Sequence, residues 1–144
     1  MKFRTPKNKN EWGKYFDLRY EVMSKPSGYP KSSVHEEKDP ESFHVAAFDG
    51  DEIVGVGRLH YDNNDFTTGY IRFMAVATNQ QSKGIGSQVL SKLEKIAKKN
   101  GAEIIKLKAR ESAINFYQKN GYTIKNKCTE KFFKTPHWNM AKEL

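Results

Sequence analysis

The chain has 144 residues, 37% of them apolar and 12% aromatic, enough for one domain with a core of its own, so residues 1–144 are read as a single folded unit. A lone cysteine, Cys128, excludes an internal disulfide and a cysteine-built zinc site. With no run near ~18 apolar residues and no apolar N-terminal signal, a soluble cytoplasmic protein, away from membranes and without a metal, is expected. The net charge of +8 is uneven: residues 1–79 carry 11 basic and 12 acidic side chains and residues 80–144 carry 14 and 5, so the second half favours an anionic partner, nucleic acid or a polyphosphate cofactor.

In chain order, residues 3–6 predict a short first strand. Apolar side chains at Trp12, Tyr15, Phe16, Leu18, Val22 and Met23 predict an amphipathic helix over 11–23. Residues 24–40 hold Pro26, Gly28, Pro30, Ser32 and Ser33, breakers that predict a long loop. Residues 43–48 read as a strand turning at Asp49-Gly50 into a return strand over 53–61. Asn63-Asn64-Asp65 then turns into a third strand over 70–76. The period changes next: Ile85, Val89, Leu90, Leu93, Ile96 and Ala97 recur at helical spacing until Asn100-Gly101 caps the helix. Lys92, Lys95, Lys98 and Lys99 fall on its solvated face.

Residues 104–109 predict a further strand. Ala113, Phe116 and Tyr117 form the inner side of a short helix closed by Asn120-Gly121, residues 122–124 start another strand, and Phe132, Phe133 and Trp138 end the sheet. Antiparallel strands followed by helix–strand–helix–strand specify an α+β domain with a mixed sheet.

The informative stretch is residues 76–87, where a strand runs through a polar loop into a helix. Gly84 and Gly86 lack a Cβ and let backbone come close to a ligand. The first N–H groups of the helix have no intrahelical partner and, with the helix dipole, make an anion site, to which Lys83 adds a full charge. A P-loop needs Lys-Ser/Thr after its last glycine, and here Ser87-Gln88 follow Gly86. A dinucleotide fingerprint needs a third small residue where Val89 stands. Both patterns fail, leaving Gln81-x-x-Gly84-x-Gly86, a pattern for the pyrophosphate of coenzyme A.

That pattern resembles motif A of the GNAT superfamily of N-acetyltransferases. Ala113-x-x-Phe116-Tyr117-x-x-x-Gly121-Tyr122 resembles its motif B. The resemblance runs over nearly the whole chain, through Leu18-Arg-Tyr-Glu-Val22, the Glu36-Glu37 loop, Val56-Gly-Arg-Leu59, Ile71-Arg-Phe-Met-Ala-Val76 and His137-x-x-Met140, and is to the small single-domain bacterial type. It implies a twisted mixed sheet flanked by helices and splayed between its fourth and fifth strands. It also implies an acyltransferase that moves an acetyl group from acetyl-CoA to a primary amine by direct transfer in a ternary complex.

By the same resemblance the cofactor is held by Gln81, Ser82, Lys83, Gly84, Ile85, Gly86 and Ser87. Its pantetheine arm pairs with backbone at Met74, Ala75 and Val76, an N–H at Met74 or Ala75 pointing at the thioester oxygen. Tyr117 matches the position whose hydroxyl faces the thioester sulfur, and a phenol of pKa about 10 is protonated at neutral pH and can donate to a thiolate. Asn115 and Lys119 share its helix and can reach the cofactor. The base is less evident. Many family members carry a glutamate on the strand before motif A, yet no carboxylate stands between Asp65 and Val76. The candidates are then Glu36, Glu37, His60 and His137. Arg72 can bind an acidic substrate or pair with the acidic loop, and Arg58 and Arg110 are further candidates.

Two other readings compete: a basic nucleic-acid-binding module, which lacks an aromatic-interleaved RNA signature, and a coenzyme A-binding protein without catalysis. The pocket for the acceptor, a small-molecule or peptide amine, is built by the 24–41 loop and the tail. The acidic run over 36–41 hints at a cationic one. Nucleic acid is not expected as a partner, and aromatics of the C-terminal strand would suit a homodimer edge.

Overall fold

A computed structural model describes residues 1–130 and 133–144. The elements follow as β1 (Lys2–Arg4), α1 (Lys9–Arg19), β2 (Phe43–Asp49), β3 (Glu52–Asp62), β4 (Asp65–Val76), α2 (Ile85–Lys99), β5 (Ile104–Arg110), α3 (Ile114–Lys119), β6 (Thr123–Lys127) and β7 (His137–Glu143). Local signals explain most of them. Asn8 caps α1 by accepting from the Glu11 N–H, and the Glu11 carboxylate reaches back to the Lys7 N–H. Asn63 and Asn64, both at positive φ, form the two-residue turn that suits the twist of the β3–β4 hairpin.

The predicted helix over 11–23 ends earlier, at Arg19, and passes into one π-helical turn over Tyr20–Ser24. The long loop is a chain of 3-10 turns over Lys25–Ser27, Lys31–Val34 and Asp39–Glu41.

Among the described residues seven strands form one sheet in the order β1-β2-β3-β4-β5-β7-β6. Of these pairs only β4 and β5 are parallel, and their pairing runs from Thr68↔Ile104 to Ile71↔Leu107. Beyond that point β4 continues to Val76 and β5 to Arg110 without pairing each other, so the sheet opens into a V. β4 stays bound to β3 on its other edge and β5 to β7. This is the splay between the fourth and fifth strands.

The last strand does not lie at the margin: β7, with Trp138, sits between β5 and β6, and the free edge is β6, exposed along its whole length. Of the aromatics expected to end the sheet, Phe133 precedes β7 and Phe132 falls outside the described residues.

Each face of the sheet has its own core. α2 lays Ile85, Val89, Leu90 and Leu93 on Leu59, Ile71, Ile105 and Met140, with Tyr117 and Tyr122 closing the far side. On the opposite face Trp12, Tyr15 and Phe16 of α1 cover Ala46, Phe48, Val56 and Ala75. Lys92, Lys95, Lys98 and Lys99 are exposed on α2. Among the described residues no helix is long and apolar enough to cross a membrane.

Candidate active site

The open V carries the chemistry-bearing residues. Opposite Gly57, β4 holds an extra residue, since Arg58 pairs with Arg72 but Val56 pairs with Ala75. Phe73 takes a φ of +57° there, a strained position for an aromatic residue and the mark of a bulge that re-aims the strand. Past the bulge the Ala77 N–H donates to the Val54 carbonyl across the β3–β4 ladder. Alternation therefore turns Ala75 towards β3 and the N–H groups of Met74 and Val76 to the open edge. This sorts the two expected donors: Met74 faces the cleft, and Ala75 is spent on the sheet.

The chain leaves β4 through a 3-10 turn and enters α2 at Gly84, which has a φ of +81° with nothing within 4 Å of where a Cβ would stand. Gln81, Ser82, Lys83 and Gly84 are exposed around the helix start, and Ser87 is half-buried. The Gln81 side-chain amide is tied to the Val76 carbonyl at 3.1 Å, and Lys83 reaches Gln80. Ile85 points into the core instead. Gly86 differs from the sequence reading in its reason: a Cβ there would lie 3.1 Å from the Phe116 ring and 3.3 Å from Val76. Its missing side chain lets α2 seat against α3 and β4.

Tyr117 is buried on α3, edge-on to Phe116 and Tyr122. Burial raises its pKa well above the phenol range, with only slight opposition from Arg110. Its hydroxyl makes no hydrogen bond among the described residues, so a protonated donor is held without a protein acceptor. Asn115 on the same helix is exposed.

His137 opens β7 and lines a cavity of about 240 Å³ at the mouth of the V, together with Phe73, Arg72 and Arg110. Burial holds the imidazole below its usual pKa, although its contact with the Thr135 carbonyl pulls the other way. Nδ1 lies 2.9 Å from that carbonyl. Neutral His137 therefore carries its proton on Nδ1 and leaves Nε2 free to accept one.

The acidic loop is held by arginines. Glu36 binds Arg58 at 2.7 Å through one oxygen and Arg72 at 2.6 Å through the other. Asp39 accepts from Arg19 at 3.2 Å, from Arg58 at 3.0 Å and from the Glu36 N–H at 2.8 Å. Burial works to raise the Asp39 pKa, but Arg19, that N–H and Arg58 together hold it below the usual carboxylate range. Arg19 and Arg58 are fully buried, and with Arg72 their guanidiniums stand 4.1, 5.0 and 4.9 Å from the Phe73 ring. Loop, α1, β3 and bulge are thus pinned by one charge network, and Arg72 pairs with the loop.

Glu36 has both oxygens engaged. Glu37 is exposed, and unpaired among the described residues, on a larger groove of about 770 Å³ over β4, β5, β7 and β6. His60, on the same groove, is lowered to about 4, first by burial and then by Arg58, whose guanidinium sits 3.1 Å from Nδ1. Sequence reasoning missed Arg19, Asp39 and Phe73, because the contacts that bring them together, Arg19 and Arg58 with Asp39 and both guanidiniums with the Phe73 ring, span 15 or more residues. Among the described residues no group of three or more His, Cys, Asp or Glu could hold a metal.

Comparisons with known proteins agree with this geometry. A sequence model of the acetyltransferase (GNAT) family matches residues 10–122. The N-acetyltransferase YjcF of Bacillus subtilis is 32% identical, over 99% of this chain and all of that protein. Among solved structures, Escherichia coli ElaA superposes with a TM-score of 0.82 at 19% identity, over 99% of each chain. An aminoglycoside 6'-N-acetyltransferase complexed with coenzyme A superposes with a TM-score of 0.79 at 22% identity, over 99% and 97% of the two chains. These structural likenesses establish the shared fold.

Proposed function

Because the chain belongs to the acetyltransferase (GNAT) family, we propose that its open V is the site where acetyl-CoA and an amine acceptor meet in a ternary complex. The chain is an acetyl-CoA-dependent N-acetyltransferase, and the observation that carries the location of its site is the unpaired β4 edge running into the exposed start of α2. The residues present suit the cofactor: free N–H groups at Met74 and Val76 for the pantetheine amides, and an uncovered Gly84 at a helix N-terminus for the pyrophosphate. In this reading the backbone from Gln81 to Ser87, including Ser82, Ile85 and Gly86, with the Gln81 and Lys83 side chains, holds the phosphates. Asn115 lies along the arm.

Acetyl-CoA supplies an activated acyl group, so the acceptor nitrogen bonds the acetyl carbon as the carbon–sulfur bond breaks and coenzyme A leaves as the thiol. The Met74 N–H stabilises the charge that develops on the acyl oxygen. Tyr117 gives its proton to the departing sulfur and regains one from solvent. His137 takes the proton of the amine on Nε2. We favour it over Glu36, whose oxygens are both bound, and over Glu37, which is exposed on the larger groove rather than at the mouth of the V. No cysteine lines either cavity among the described residues, which supports direct transfer. A cytoplasmic setting suits the free thiol of Cys128.

Calorimetric titration tests the reading. Acetyl-CoA binds the protein, and Gly84→Val weakens it at least tenfold while the fold survives, since a side chain at φ +81° forces this turn to move. Unchanged affinity in Gly84→Val would refute the assigned loop.

A further inference from the structure

We propose that the acceptor is an amine that also carries a carboxylate, and that Arg110 is the residue that reads it; this rests on the acetyl-transfer reading above. The chain has five arginines. Arg4 is bound by Glu11, Arg19 by Asp39, Arg58 by Glu36 and Asp39, and Arg72 by Glu36. Arg110 alone has no ion pair or hydrogen bond among the described residues, although it is half-buried. A guanidinium stays charged at any physiological pH and presents a planar fork matched to a carboxylate. Held partly out of water with no partner, it is suited to a ligand that brings one.

Its position gives that partner a purpose. Arg110 closes β5 where the strands part and is the register partner of His137. It lines the smaller cavity beside Phe73, and its charge acts on both Tyr117 and His137. A carboxylate bound there brings the rest of the acceptor to the two groups assigned to proton transfer.

The larger groove adds to the same preference. Of its carboxylates, Glu36 is held by two arginines, Asp62 by Lys38 and Glu130 by Lys108. Lys106 and Lys125 on its wall have no such pairing among the described residues. The unpaired charges lining the two cavities, which share Glu36, Arg72 and Lys108, are thus Arg110, Lys106 and Lys125 against Glu37 among those residues. Of the acidic run that hinted at a cationic acceptor, Glu36 and Asp39 are consumed by arginines, which leaves Glu37 on the groove. A polycation such as an aminoglycoside meets like charge here.

The test uses pairs of amines that differ in the carboxylate: L-lysine against cadaverine, L-phenylalanine against phenethylamine, and the dipeptide Asp-Glu against amidated Asn-Gln. Binding is measured calorimetrically on the coenzyme A-loaded protein, and turnover by thiol release from acetyl-CoA. The carboxylated member binds roughly ten- to a hundredfold more tightly, as expected for charge-assisted hydrogen bonds. Arg110→Gln removes the preference through KM, Arg110→Lys keeps part of it, and coenzyme A binding to both variants shows an intact fold. The lysine and dipeptide arms tell a free amino acid from a peptide. Equal affinity within pairs, failure of every carboxylated member to bind, or a preference that survives in Arg110→Gln would overturn the proposal. Preferential binding without thiol release would leave the Arg110 site standing and count against catalysis; thiol release with cadaverine as fast as with lysine would do the reverse.

Discussion

Removal of the Asp39 carboxylate tests whether the buried charge network holds the active-site bulge. In Asp39→Ala, Arg19 keeps the Val34 carbonyl at 2.6 Å and its aromatic neighbours but loses its only counter-charge, and Arg58 keeps Glu36 alone. The Glu36 N–H loses its acceptor. Breaking a buried pair on one side costs about 3–5 kcal/mol. Because the Asp39 side chain retains 11% exposure, the lower end, about 3 kcal/mol, is expected. Against a total stability of roughly 5–15 kcal/mol this is a large share, and it lowers the melting temperature by roughly 10 °C.

Thermal unfolding followed by circular dichroism reads this shift, and Asp39→Asn, which keeps an acceptor for the Glu36 N–H, falls between the two. The sign with pH follows from the lowered pKa: the contribution is complete above the unfolded-state value and disappears as pH falls through the folded one. Wild type and Asp39→Ala therefore converge in acid. A loss below about 1 kcal/mol at neutral pH would mean that the two guanidiniums find water or another acceptor, and the network argument would fail.

Tyr117→Phe lowers turnover roughly a hundredfold with little change in acetyl-CoA affinity, as loss of a general acid does; equal turnover would reduce Tyr117 to packing. His137→Gln flattens the acid side of the rate profile relative to wild type. With its folded pKa below 6.5, wild-type His137 loses its accepting nitrogen only as pH drops beneath that value, so parallel profiles would remove it as the base. Gly57→Ala places a Cβ 2.5 Å from the Met74 sulfur, 2.8 Å from Leu93 and 2.9 Å from Val89. It destabilises the fold by about 1–3 kcal/mol and weakens acetyl-CoA by shifting Met74; a variant as stable as wild type, measured by urea unfolding, would refute the packing account.

What the sequence discloses depends on how local the cause is. The α2 stripe, the two hairpin turns and the loop into Gly84 each rest on neighbours a few residues apart, and each is legible. Motif A and motif B together carry the family resemblance, and it is the resemblance that implies the splay. The charge network is of another kind. Residues 36–41 read as an acidic run that Arg72 can pair with, but nothing nearby shows that Arg19 and Arg58 converge on it from two further elements. The Phe73 bulge is equally hidden: an aromatic residue at positive φ violates local preference and is held by that same convergence. Gly86 reads as a ligand contact, whereas its nearest neighbours are a ring and a valine from distant segments. The freedom of Arg110 is a property of all five arginines together, visible only once the other four have been placed.

The interior position of β7 bears on how the protein is made. β7 follows β6 in the chain, so it has to insert between β5 and β6, which are made before it and have no ladder with each other. Until it does, one wall of the V lacks its outer support and β6 has nothing to pair with. The earlier meander of β2 to β4, joined by short hairpins, can assemble before β7 exists, whereas the side that opposes it waits for that strand. Closure over such long sequence separations is the slow kind of event in folding. A nascent molecule therefore owns its cofactor loop before it owns a cleft, and becomes an enzyme in one late step.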